Sequence, residues 1–235
     1  MRMSLLRRVI AEFLGTGLLV AAVIGSGIMG DRLAGGNVAL ALLANTIATG
    51  AALVALILTF GPLSGAHLNP AVTLADALEG GLPWSEASCY VVAQALGGIA
   101  GAVVTHLMFE LPPVFFSRHV RSGPAQFLSE SIATFGLLSV IWGCSRTRSQ
   151  VVPFAVGAYI TAAYWFTAST SFANPAVTIA RSMSDTFAGI RPADVPAFVL
   201  AQLTGAIGAT FLFRWLIPSL PSTAKDVVFP HNGEG

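Results

Sequence analysis

Apolar residues follow one another along this chain in long runs, not in the one-sided stripe of a surface helix or the alternation of a half-buried strand. About 20 helical residues cross a hydrocarbon core of ~30 Å. Six runs meet that length and predict spanning helices: Val9 to Gly30, Val38 to Phe60, Ala87 to Met108, Phe127 to Ser145, Val151 to Thr170 and Val195 to Ile217. Three hold no Asp, Glu, Lys or Arg, and the others hold one each: Glu12, Glu130 and Arg214. Arg2, Arg7 and Arg8 precede the first run as they would a signal peptide, but Glu12 interrupts it and no small-residue cleavage site follows. It is expected to stay as a span.

Six spans put both termini on one side. The Arg2, Arg7, Arg8 cluster, with Arg146 and Arg148 between the fourth and fifth spans, makes that side cytoplasmic, while Arg118 and Arg121 fall on the other. The expected location is the cell (inner) membrane, with no soluble domain attached and a frayed tail over 221–235.

The chain repeats itself. Asn69-Pro70-Ala71-Val72-Thr73-Leu74-Ala75 returns 105 residues later as Asn174-Pro175-Ala176-Val177-Thr178-Ile179-Ala180, identical at six of seven positions. Glu12 matches Glu130, and Gln94, Gly97 and Ile99 match Gln202, Gly205 and Ile207 in the same order. One domain over 1–235 is expected, with repeat halves of about 5–110 and 125–220. Each half has three spans, so the second copy is inverted about an axis in the membrane plane.

Asn before Pro reads as a helix start, because Asn is a favoured N-cap and Pro tolerates the first turn. Each helix can run about ten residues before Gly80-Gly81 or Gly189, roughly 15 Å or half the hydrocarbon thickness. Two half helices entering from opposite faces would meet end to end, placing two positive dipole ends and the amides of Asn69 and Asn174 together. The stretches leading in, Gly61 to Leu68 and Ser169 to Ala173, cannot be helical throughout. Non-helical backbone at membrane depth must be buried in protein or line a watery cavity. Carbonyls and amides in such a place suit small polar, uncharged molecules.

Composition sharpens this picture. The chain is 54% apolar and 10% charged with mean hydropathy +0.75, against about 25% charged residues in a soluble domain. A water-soluble globule is excluded, and lipid is the solvent. A net charge of +1, with all but one of the 12 cations being Arg, provides no basic field for nucleic acid. Cys89 and Cys144 lie in apolar stretches without nearby histidines and read as packing residues, so neither a metal site nor a cofactor is expected.

These residues resemble the major intrinsic protein family, the aquaporins and aquaglyceroporins. The resemblance rests on Ala11-Glu12-Phe13-Leu14-Gly15-Thr16, Ser64-Gly65-Ala66-His67-Leu68-Asn69-Pro70-Ala71-Val72-Thr73, Gln94, Glu130 and the second Asn174-Pro175-Ala176. It implies an all-α membrane protein of six spanning helices and two re-entrant half helices, with a pore in each protomer of a homotetramer. By similarity, Asn69 and Asn174 orient the solute at mid-pore, Glu12 and Glu130 hydrogen-bond the loops from behind, and His67 lines the cytoplasmic half. His106 and His119 are expected at span ends without a role.

The family places an arginine three residues after the second Asn, and this chain has Val177. The other filter positions correspond to Thr49 and Ser171, with either Tyr164 or Ala162 from the fifth span. Losing a guanidinium removes bulk and up to five donors, which implies a wide mouth suited to water, glycerol-sized polyols or arsenite as its neutral trihydroxide. Such filters resemble those of bacterial aquaglyceroporin-like members associated with arsenical resistance. Arg181, four residues beyond Val177, either reaches the extracellular surface or partly replaces the missing arginine. The competing class is a secondary transporter, for which Asp76 is the candidate coupling carboxylate. An enzyme is disfavoured, since no His-Glu-x-x-His, Walker or Gly-x-Ser-x-Gly pattern occurs.

Overall fold

The computed structural model describes residues 3–217, so the expected tail at 221–235 lies outside the described residues. The chain order is α1 (Leu5–Leu33), α2 (Val38–Ser64), α3 (Pro70–Leu78), α4 (Trp84–Met108), α5 (Pro124–Thr147), α6 (Val152–Phe166), α7 (Pro175–Ser182) and α8 (Val195–Leu216). Long, long, short, long therefore occurs twice. Helices α1, α2, α4, α5 and α8 are long and apolar enough to cross a membrane.

Three boundaries depart from expectation for physical reasons. Helix α1 begins at Leu5, four residues ahead of the apolar run, where buried Arg8 pairs with Glu86 at 2.8 Å. The fifth span, expected over Val151 to Thr170, is helical only over Val152–Phe166, about 22 Å at 1.5 Å per residue. Hydropathy reads apolar content and is blind to backbone. Thr170, Ser171 and Ala173 turn to φ values of 60°, 48° and 49°, which no right-handed helix allows. The second half helix ends at Ser182, well short of Gly189. Its last carbonyls are taken by the 115–117 segment, where Ser117 N donates to Ser182 O and Phe115 N to Met183 O.

Helix α1 packs on α2 and α4, α5 on α6 and α8, and α2 meets α6 across the two sets. Each half helix is gripped by both α4 and α8. Close approach depends on two glycines in matching places. A Cβ on Gly97 would lie 2.1 Å from the Phe13 carbonyl oxygen, and one on Gly205 would lie 2.2 Å from that of Ser131. Membrane helices gain most of their association from such backbone proximity. Gly97→Ala and Gly205→Ala must therefore separate helices or shift backbone, at about 1 to 3 kcal/mol. The expected result is a fall in the melting temperature of the detergent-solubilised protein of about 3 to 10 °C in each variant, and unchanged melting would show that these contacts relax freely.

Candidate channel site

Two loops of irregular backbone, 65–69 and 167–174, enter the interior and are held from behind by one carboxylate each. Glu12 Oε1 accepts from Ser64 Oγ (2.6 Å) and His67 N (3.0 Å), and Oε2 accepts from Leu68 N (2.7 Å) and Gln94 Nε2 (2.7 Å). Glu130 repeats the arrangement with Ser169 Oγ (2.5 Å), Phe172 N (2.9 Å), Ala173 N (2.9 Å) and Gln202 Nε2 (2.6 Å). Both carboxylates are fully buried. Matching residues are held at positive φ, Ala66 and Leu68 in the first loop and Ser171 and Ala173 in the second. Such conformations cost free energy in non-glycine residues, and the amide hydrogen bonds to Glu offset it.

At the tips, Asn69 Oδ1 accepts from Ala71 N at 2.9 Å, while Asn174 Oδ1 accepts from Ala176 N at 3.0 Å and Val177 N at 3.3 Å. Each amide thus caps its own half helix. The Nδ2 groups reach across: that of Asn69 donates to Ala173 O and that of Asn174 to Leu68 O, both at 2.8 Å. Pro70 and Pro175 occupy the first helical positions, followed by Ala71 and Ala176, both fully buried. The two loops are therefore cross-linked. Each Nδ2 has one further hydrogen to offer.

A cavity lies along both tips, with ≈ 680 Å³ of space that includes its open ends, lined by Asn69, Asn174, Thr49, Tyr164, Ser171 and Val177 among others. The Tyr164 hydroxyl donates to Thr49 Oγ1 at 3.3 Å. Ala162 faces outward and is exposed, so Tyr164 is the fifth-span residue on the cavity wall. Leucine, isoleucine and valine side chains, such as Leu53, Ile141 and Ile160, complete the wall opposite the polar groups.

Toward the α3 side, His67 Nδ1 lies 3.1 Å from Thr73 Oγ1 and Nε2 lies 3.6 Å from Asp76 Oδ2. On the α7 side, Arg181 is buried, not at a surface as one reading allowed. Its Nε donates to Ala188 O, its Cζ sits 3.3 Å from the Phe172 ring centroid, and the side chain lines the cavity. Arg121, read only as a charge on the far side, is also buried, donating to Gly189 O (2.8 Å) and Ser169 O (3.1 Å). His119 lies in the 109–123 connection, beyond the span end where it was expected. Burial first, and then the charges of Arg121 and Arg181, hold its pKa below the usual imidazole value, so it is neutral at pH 7.

His106 corrects another expectation. It is fully buried, with Nδ1 2.8 Å from Pro113 O and Nε2 2.8 Å from Ser184 Oγ, and so fastens the chain after α7 to the end of α4. The equivalent fastening at the other end is Arg214 Nη2 to Glu79 Oε1 at 2.7 Å. The repeat offsets carry Glu79 to Ser184 and His106 to Arg214, and that correspondence was the available signal. Cys89 and Cys144 are free and half-buried, the latter packed against the main core. Among the described residues no group of three or more His, Cys, Asp or Glu could hold a metal.

This architecture defines a membrane channel built from an inverted pair of re-entrant loops. The family model described as Major intrinsic protein matches residues 1–170, and the chain belongs to that family. The matched stretch stops just before the second Asn-Pro-Ala segment at 174–176. Aquaglyceroporin AqpS of Rhizobium meliloti (strain 1021) is 60% identical over 219 residues, covering 93% of this chain and 94% of that protein. Aquaporin A of Dictyostelium discoideum is 34% identical, covering 88% of this chain and 77% of its own length. The X-ray structure of the aquaglyceroporin from Plasmodium falciparum shares the fold with a TM-score of 0.72 and 21% identity, over 92% of this chain and 99% of that one.

Proposed function

We propose that the protein is a passive channel for small uncharged hydroxylated solutes: water, glycerol-sized polyols and arsenite as its neutral trihydroxide. It works as a homotetramer in the cell (inner) membrane with both termini cytoplasmic. The observation that carries this reading is the cavity running beside two cross-bonded half-helix N-termini, with a valine where a longer side chain would narrow it. In this reading Thr49, Tyr164, Ser171 and Val177 form the filter. Asn69 and Asn174 orient the solute, their spare N–H groups replacing hydration while the two dipole ends oppose cations. His67 lines the cytoplasmic half, and Glu12 and Glu130 support the loops. The name of the Rhizobium relative is consistent with a polyol-permeable pore.

The test is osmotic swelling of proteoliposomes in gradients of water, glycerol, urea and arsenite. Uptake is expected to follow the solute gradient without saturating. Saturable uptake that requires a proton or sodium gradient would overturn the channel reading in favour of a transporter using Asp76.

A carboxylate placed between the dipole ends would attract cations or hold solute too firmly. Asn174→Asp is therefore expected to lose most glycerol flux, about tenfold, while still inserting. Measured flux per inserted protein equal to wild type would remove Asn174 from the conduction path.

A further inference from the structure

The repeat sets His67 against Phe172 and Asp76 against Arg181 at equivalent positions. In both halves the residue two before the Asn touches the residue seven after it. The chemistry at the two ends differs. His67 meets a carboxylate on the α3 side, whereas a phenyl ring meets a guanidinium on the α7 side.

Arg181 is 1% exposed and has no carboxylate in ion-pair contact among the described residues. One face lies on Phe172, Nε is held by Ala188 O, and Nη1 is buried without a partner. Ser171, on the same cavity, also has a buried Oγ without a partner. The Arg121 guanidinium stands 5.1 Å from the same ring and bonds carbonyls, not acids. A buried guanidinium without a counter-ion is costly unless polar groups solvate it, and the cavity is where such groups can come from. Its field acts in a poorly screened passage.

We propose that Arg181, one helical turn beyond Val177, is the charge filter of the α7 mouth: it turns back cations and, with Ser171, docks neutral solutes through their acceptor oxygens. This assignment rests on the channel reading and deepens it. Val177 and Arg181 both line this cavity, so in this assignment the width is set by the valine and the charge by the arginine.

The experiment compares wild type, Arg181→Lys, Arg181→Gln and Arg181→Met in proteoliposomes, reading potassium leak with a potential-sensitive dye beside glycerol swelling. Met keeps the stem about as far as the Nε position and leaves no donors to satisfy, so it serves where Gln fails to fold. Gln or Met is expected to raise potassium leak by about tenfold or more, with Lys tight like wild type. Vesicles of the neutral variants that swell in glycerol yet stay potassium-tight overturn the proposal. So does a Lys variant that leaks as much as Gln. Wild-type vesicles that do not swell overturn the channel reading itself, a result visible before any variant is measured.

Discussion

Glu130→Ala is expected to abolish recovery of folded protein. The substitution strands four buried donors at once: Ser169 Oγ, Phe172 N, Ala173 N and Gln202 Nε2. Each stranded donor costs about 1 to 3 kcal/mol, and the sum rivals the ~5 to 15 kcal/mol by which a whole domain is stable. The positive-φ residues Ser171 and Ala173 lose the contacts that hold them. Glu130→Gln is expected to be intermediate, because its NH₂ turns donors toward donors on one side. Glu12→Ala and Glu12→Gln should follow the same order. The measurement is the monodisperse fraction in detergent relative to inserted protein, with Asn174→Asp as a loop-tip comparison. Normal assembly of the Gln variants with a changed pH dependence of transport would instead make these carboxylates proton carriers.

Val177→Arg is expected to cut glycerol and arsenite flux about tenfold or more while water falls by less than about threefold. Valine is short and 4% exposed on the cavity wall. An arginine there reaches several atoms further and adds up to five donors that a water molecule can satisfy in passing but a three-carbon solute must squeeze beyond. Equal membrane amounts should be confirmed before water, glycerol and arsenite fluxes are compared. Water falling by the same factor as the large solutes would show a blocked pore, not a size filter, and untouched glycerol flux would place Val177 off the path.

Spans were legible because lipid demands long apolar runs, and the half helices were legible because Asn-Pro marks a helix start whatever surrounds it. Less visible was the backbone between them. The fifth span was expected to reach Thr170, yet the helix ends at Phe166, and Glu130, 39 to 43 residues upstream, takes the Ser169 hydroxyl and the Phe172 and Ala173 amides. The place of Arg181 stayed open between a surface and the filter for a similar reason. Charge near a span end reads as surface, and the ring and carbonyl that receive it, Phe172 and Ala188, declare themselves only in three dimensions. His106 looked idle because its partner Ser184 lies 78 positions away. The choice between Ala162 and Tyr164 turned on helix phase, which counting back from Asn174 through the non-helical backbone at 167–173 does not give.

The reciprocal bonds between Asn69 and Ala173 and between Asn174 and Leu68 have a temporal consequence. They join residues 104 and 106 positions apart. At ~5 to 20 residues per second of synthesis, the first loop emerges roughly 5 to 20 seconds before its latch exists. During that interval α3 can be gripped by α4 but not by α8, and the Asn69 amide has no carbonyl to meet. The cross-linked pair of tips therefore exists only once residue 174 has been made, and α7 and α8, which complete the grip on both half helices, follow later still.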